Sequence, residues 1–224
     1  MHRLRIVPVA LVAVALIGAS LLAGSNADAA GEPQRSDAAR MMRDLMSGTA
    51  AVGGPFTLTD VNGRRRSLAD FRGKVVILYF GYTFCPDVCP TNLASIAHLM
   101  QVLGPDSVKV QPLFVTLDPQ RDTAEVLREY VAAFDSRLVA LRGSETEVRR
   151  VATSYKLYFR KVYPQKSSTY FIEHASLTYL LDQDGRYVAF FPPGTTGERM
   201  AVLVRERALA RVHPHPAIQT RPGL

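Results

Sequence analysis

Val75-Val76-Ile77-Leu78-Tyr79-Phe80-Gly81-Tyr82-Thr83-Phe84-Cys85-Pro86-Asp87-Val88-Cys89-Pro90 is the stretch on which the reading of this chain turns. Its first half is a continuous run of apolar, mostly β-branched and aromatic residues, the mark of a strand buried on both faces. Its second half holds the only two cysteines of the chain, four residues apart. Pro90 suits the first turn of a helix, where its missing N–H is not needed. If the loop turns into a helix there, positions i and i+4 share one face, with Cβ atoms roughly 5–6 Å apart. Two thiols so placed can close a disulfide, whose Cα atoms lie ~4.4–6.8 Å apart, or share one soft metal ion as thiolates. The two states exclude each other, because a disulfide sulfur no longer offers the thiolate charge that a metal needs. A permanent staple is the blander alternative, but so short a loop removes little entropy from the unfolded chain. Outward-pointing N–H groups at a helix start stabilise thiolate, which predicts a lowered pKa for at least one of the pair. A Cys-x-x-Cys spacing favours thiol exchange; one extra residue widens the bite toward metal capture.

Working outward, Phe56-Thr57-Leu58-Thr59-Asp60 alternates, Asn62-Gly63 signals a type I′ hairpin, and Arg64 to Leu68 is its return strand. After Pro90, Leu93, Ile96, Ala97, Met100 and Leu103 repeat at helical spacing until Gly104-Pro105. Val108 to Leu117 reads as the next buried strand and Thr123 to Phe134 as a second helix, with Asp122 and Thr123 as capping candidates. Leu138 to Leu141 is a short strand, Thr146 to Tyr155 helical, and Leu157 to Tyr163 extended. Leu177 to Asp182 and Arg186 to Phe191 flank a hairpin turn at Gln183-Asp184-Gly185, and Thr196 to Arg211 makes a closing helix. Strands alternating with helices, then a terminal hairpin and helix, describe an α/β fold with a mixed central sheet flanked by helices and an N-terminal β-hairpin. A dithiol between the first central strand and the following helix makes that fold thioredoxin-like.

The chain has 224 residues and reads as one domain at 55–211 behind a targeting segment. Arg3 and Arg5, an apolar stretch from Ile6 to Gly24 and the small residues Ala27-Asp28-Ala29 form an export leader over residues 1–29. Ile6 to Gly24 is also about as long as the ~17–25 residues of a membrane span, so cleaved signal and retained anchor both stand. Either way the domain leaves the cytoplasm for a compartment where disulfides persist, periplasmic or otherwise extracytoplasmic. Residues 30–54 read as a linker and 212–224 as a disordered tail. The formal charge of +7 would point to nucleic acid in a cytoplasmic protein. In an exported one, with its basic residues scattered or in short clusters such as Arg64-Arg65-Arg66, it reads as a solvated surface or contact with anionic headgroups, with no nucleic acid partner.

Among five histidines, His174 stands out. It lies just before the strand at Leu177, and in a thioredoxin-like fold the loop entering that strand faces the dithiol. Thioredoxins place a cis-proline there; here a histidine would bring an imidazole nitrogen to two sulfurs, an S₂N set suited to copper in either oxidation state. His98 reads as a helix-surface residue, His213 and His215 as part of a loose tail, and His2 as part of the leader.

With these motifs in order, the chain resembles the SCO/SenC family of copper-binding, thioredoxin-fold proteins involved in cytochrome c oxidase assembly. Gly81 to Pro90 is similar to the family's dithiol loop, Asp118-Pro119-Gln120-Arg121-Asp122-Thr123 to its Asp-Pro-x-Arg-Asp-Thr segment, and His174 to its ligand histidine. The resemblance runs from about Pro55 to Arg211. It implies copper held by Cys85, Cys89 and His174, with Asp87 and Asp118 near the site as supporting or partner-recognition groups. Asp118 is equally well read as a turn residue before Pro119. Members commonly carry Asp-His where this chain has Glu173-His174, so Glu173 bears on how the imidazole is oriented. The implied activity is that of a metallochaperone passing copper to the dinuclear centre of an oxidase subunit, with other periplasmic copper carriers or thiol reductants as further partners. The rival is a thiol-disulfide reductase that keeps the acceptor's cysteines reduced. A peroxidase on the same fold has no need of the second cysteine or of His174.

Overall fold

A computed structural model describes residues 42–46, 51–165 and 169–209; the leader at 1–29 and the tail at 212–224, with His2, His213 and His215, lie outside them. The strands are β1 (Thr57–Asp60), β2 (Arg65–Ser67), β3 (Val75–Gly81), β4 (Val110–Thr116), β5 (Val139–Arg142), β6 (Phe159–Val162), β7 (Phe171–His174), β8 (Thr178–Leu181) and β9 (Tyr187–Phe191). The helices are α1 (Val88–Val102), α2 (Ala124–Ala132), α3 (Glu145–Ser154) and α4 (Gly197–Leu203). Seven strands form one sheet in the order β2-β1-β5-β4-β3-β8-β9. The three inner strands β5, β4 and β3 run parallel, while β1, β8 and β9 attach antiparallel. Parallel neighbours need a crossover, which α1 supplies between β3 and β4 and α2 between β4 and β5. The mixed sheet flanked by helices is as the sequence predicts.

All seven residues of β3 are buried. Each large apolar side chain so buried contributes about 1.5–3 kcal/mol, so the fold's stability concentrates in the strand that ends at the cysteine loop. The β1–β2 hairpin is half exposed by comparison. Its turn also differs from the expected type I′, which needs positive φ at both central residues. Here Asp60 accepts from the Gly63 N–H, Gly63 alone of the turn has positive φ at +78°, and the Asp60 carboxylate takes the Asn62 and Arg64 N–H groups. The Asp60 side chain thus stabilises a wider turn.

Two further differences bear on function. Residues 171–174, expected as a loop, form β7 and pair with β6 in a separate two-stranded sheet, with Phe159 opposite His174. Part of the segment read as a linker is built into the domain: residues 42–46 make a helical turn, Leu45 is buried, and its carbonyl accepts the Tyr187 hydroxyl at 2.8 Å. The closing helix is regular only to Leu203 and continues as a wider π turn over Val204–Leu209. Among the described residues no helix is long and apolar enough to cross a membrane.

Candidate metal centre

Cys85 lies in the loop before α1 and Cys89 in its first turn, so the pair straddles the helix start instead of sharing one helical face. Both are free thiols, Cys89 buried and Cys85 partly exposed. Their environments push them apart. The Cys89 thiol donates a hydrogen bond to the Cys85 sulfur, the backbone N–H groups of Cys89 and Asp87 add to it, and the Cys85 thiol falls to about 5. The same contact, with burial, pushes Cys89 up. At neutral pH the site therefore holds one outer thiolate and one inner thiol. Because only the thiolate is nucleophilic, alkylation of Cys85 in the reduced, metal-free protein is expected to run at its plateau near neutral pH and fall about tenfold per unit below pH 5. A rate that still climbs steeply between pH 7 and 9, as for a free cysteine of pKa ≈ 8.5, would contradict this environment; rates over a pH series with mass-spectrometric site assignment measure it.

His174 ends β7 with its Nε2 3.7 Å from Cys89 Sγ. A metal bonded to sulfur at about 2.3 Å and nitrogen at about 2.0 Å holds those atoms roughly 3.5–3.8 Å apart. Burial pushes the imidazole pKa down, which favours the neutral ring that a metal requires. Nδ1 faces the Ala175 carbonyl at 3.2 Å, a contact that favours the tautomer with its proton on Nδ1 and leaves the Nε2 lone pair free on the Cys89 side. Cys89 is the middle member, touching Cys85 on one side and His174 on the other. Among the described residues no three His, Cys, Asp or Glu side chains are already gathered at coordinating distance.

The strand beneath supplies features that the sequence reading passed over. A Cβ at Gly81 would lie 2.9 Å from Cys89 Sγ and 3.0 Å from Phe114, so only glycine lets the inner sulfur seat against β3. Two residues earlier, on the same side of the strand, the Tyr79 hydroxyl accepts from Asn92 Nδ2 at 3.2 Å and hydrogen-bonds the Cys89 sulfur. Period-two spacing back from Gly81 is the signal that finds Tyr79. Tyr82 packs edge-on against the His174 ring, centroids 6.2 Å apart.

The remaining candidates fall in different places. Asp87 is the N-cap position of α1, but its carboxylate does not cap the helix; its backbone N–H is what serves Cys85. Asp118 is fully buried, which removes it from any direct partner contact, and it is bonded to Arg121 and the Tyr170 hydroxyl rather than to the cysteines. Glu173 points away from the pocket and pairs with Arg160 at 2.7 Å, leaving imidazole orientation to the Ala175 carbonyl. Asp122, read as a cap, is buried, and Thr123 alone caps α2. His98 is on the surface of α1, paired with Glu198 at 2.7 Å.

A family model described as SCO1/SenC matches residues 45–208. The chain belongs to the SCO1/SenC family. This SCO1/SenC chain is 36% identical over 211 residues to the mitochondrial SCO2 homolog of Bos taurus, covering 93% of this chain and 76% of the relative. It is 39% identical over 141 residues to an SCO2-like protein of Rickettsia prowazekii, covering 62% of this chain and 69% of the relative. Bradyrhizobium japonicum ScoI, solved with copper bound, is 42% identical and superposes with a TM-score of 0.64 over 69% of this chain and 98% of that one. The thioredoxin-like fold expected from the sequence is therefore the fold of this SCO1/SenC protein.

Proposed function

We propose that this chain is a copper carrier for cytochrome c oxidase, in which reduced Cys85, Cys89 and His174 hold one copper ion and deliver it to the dinuclear copper centre of an oxidase subunit. The observation that carries this reading is an imidazole nitrogen 3.7 Å from the inner sulfur of a reduced cysteine pair. The copper-bound structure of Bradyrhizobium japonicum ScoI supports it. Two sulfurs suit Cu(I), and the added imidazole extends the site to Cu(II). Because Cys85 is already thiolate, loading copper displaces one proton, from Cys89. Beside the outer sulfur, Phe84 on the Cys85 loop is an exposed large aromatic, a contact surface suited to an acceptor protein. Delivery takes place outside the cytoplasm, close to the membrane that holds the oxidase.

Copper and oxidation should compete for the same sulfurs. Copper-loaded protein is expected to resist alkylation at both cysteines, and protein with a Cys85–Cys89 disulfide to take up none. Equal labelling with and without copper, read by mass spectrometry, would place the metal elsewhere and end the Cys₂His assignment.

One observation favours a second reading: a partly exposed thiolate with a buried thiol behind it is also the layout of a thiol-disulfide reductase. Cys85 Sγ would attack an acceptor disulfide, releasing one acceptor thiolate and forming a mixed disulfide. Cys89, losing its proton, would attack Cys85 Sγ and release the second acceptor sulfur. Two electrons would pass to the acceptor, and the Cys85–Cys89 disulfide would remain. That chemistry has no need of His174, and so the carrier reading ranks first.

A further inference from the structure

We propose that residues 118–122, between β4 and α2, are a spacer that fixes how far His174 stands from the two sulfurs, with Arg121 and Tyr170 as positioning residues for the copper site. The proposal rests on the copper-carrier reading. Its starting point is topological: β6–β7 shares no ladder with the seven-stranded sheet, so beyond the short chain link from His174 to Thr178 on β8, contacts with neighbouring segments hold the hairpin relative to α1.

The spacer grips both ligand-bearing segments. Toward the cysteine loop, Asp122 accepts from the Thr83 hydroxyl at 2.6 Å and the Thr83 N–H at 3.1 Å. Toward the hairpin, Arg121 Nη1 donates to the Tyr170 carbonyl at 2.8 Å, the Tyr170 hydroxyl donates to Asp118 at 2.8 Å, and Lys161 Nζ donates to Gln120 at 3.0 Å. The Arg121 guanidinium, bonded through Nε to Asp118, lies 3.8 Å over the Tyr170 ring, 4.7 Å over Phe84 and 5.9 Å over Tyr82. One side chain thus touches aromatics from the hairpin and from the cysteine loop. The spacer is itself held still. Arg142 on β5 donates to the carbonyls of Asp122 at 3.2 Å and Pro119 at 3.1 Å, and Thr116 bridges the Asp118 N–H at 2.9 Å and the Asp122 carboxylate at 2.5 Å.

Tyr170 and His174 sit just before and at the end of the same short strand, so a shift at the anchored end carries to the ligand. Metal sites tolerate distance errors of only about 0.2 Å, and a site left about 1 Å loose fails. The two oxidation states differ in what they ask of the hairpin. Cu(I) is held by two sulfurs and tolerates a displaced imidazole, whereas Cu(II) needs the nitrogen in place.

The test uses the full reduced chain, with Tyr170→Phe, which removes one hydroxyl, and Arg121→Lys, which keeps the charge and loses the fork. For each variant, Cu(II) dissociation, the sulfur-to-Cu(II) absorption band, Cu(I) affinity by chelator competition, and metal-free amide exchange at 159–162 and 171–174 are measured. Both variants are expected to lose Cu(II) about tenfold faster or more, as for groups that orient metal ligands. They are expected to shift the absorption band, speed hairpin exchange about tenfold, and keep Cu(I) affinity within about threefold. A Cu(II) rate and band equal to the parent's overturn the spacer. So does an equal fall in Cu(I) and Cu(II) affinity, which marks general damage. A parent chain that shows no sulfur-to-Cu(II) band overturns the copper reading itself, and the two failures are thereby told apart.

Discussion

Replacing Cys89 with serine is expected to weaken copper binding by roughly three orders of magnitude or more, the largest effect of any single change in this protein. In the proposed site Cys89 is the residue that touches both of the others, and it is completely buried. A serine oxygen is a hard, neutral ligand, so Cys85 and His174 would be left to hold copper alone. The exchange of sulfur for oxygen changes little in volume, and the new hydroxyl can still donate to the Cys85 sulfur. Cys85 should therefore keep its rapid alkylation at neutral pH, and the melting temperature should move little, while copper is lost. Chelator competition, alkylation rate and thermal unfolding on one sample check all three. A copper affinity within tenfold of the parent's would show that the inner sulfur is not a ligand.

His174→Ala is expected to divide the two proposed chemistries. Cu(II) affinity should fall by roughly a hundredfold or more, as for loss of one of three ligands, and Cu(I) affinity by less than about tenfold because both sulfurs remain. Dithiol exchange with a model disulfide should continue, since the hydrogen bonds that make Cys85 a thiolate come first from Cys89 and the helix-start backbone. In cells at limiting copper, oxidase assembly should fail. If the variant assembles oxidase as well as the parent does while Cys85→Ser does not, thiol chemistry is the function and copper is incidental.

The parts of this fold legible in the sequence are those fixed by local pattern. The apolar run of β3, the proline near the start of α1 and the periodic Leu93, Ile96 and Met100 announce the central strand and the helix that carries Cys89. β7 could not be read the same way. Its four residues bury only Ile172 fully, and its partner strand is the half-exposed β6, so neither length nor alternation marks it. The candidate ligand set could be named from the sequence because the chain has only two cysteines and their order with His174 matches a known pattern. The contacts around those residues could not. Arg121 looks like part of a turn, yet its contact is 49 residues away at Tyr170. Asp122 looks like a helix cap, yet it binds Thr83, 39 residues back. Contacts of that range have no local signature; Glu173, the sequence neighbour of His174, is turned by strand alternation to the other face, toward Arg160.

The unequal burial of the two sulfurs gives the site a direction. Cys85 is partly exposed and Cys89 buried, so an incoming thiolate meets the outer sulfur first. Under the proposed carrier function the outer sulfur would be the first donor displaced and the inner one the last, and the ion would be shared between giver and receiver at each stage, never loose in the surrounding fluid where it could generate radicals or lodge in the wrong protein. The walls of β3 and α1 around Cys89 would then act as a one-way exit.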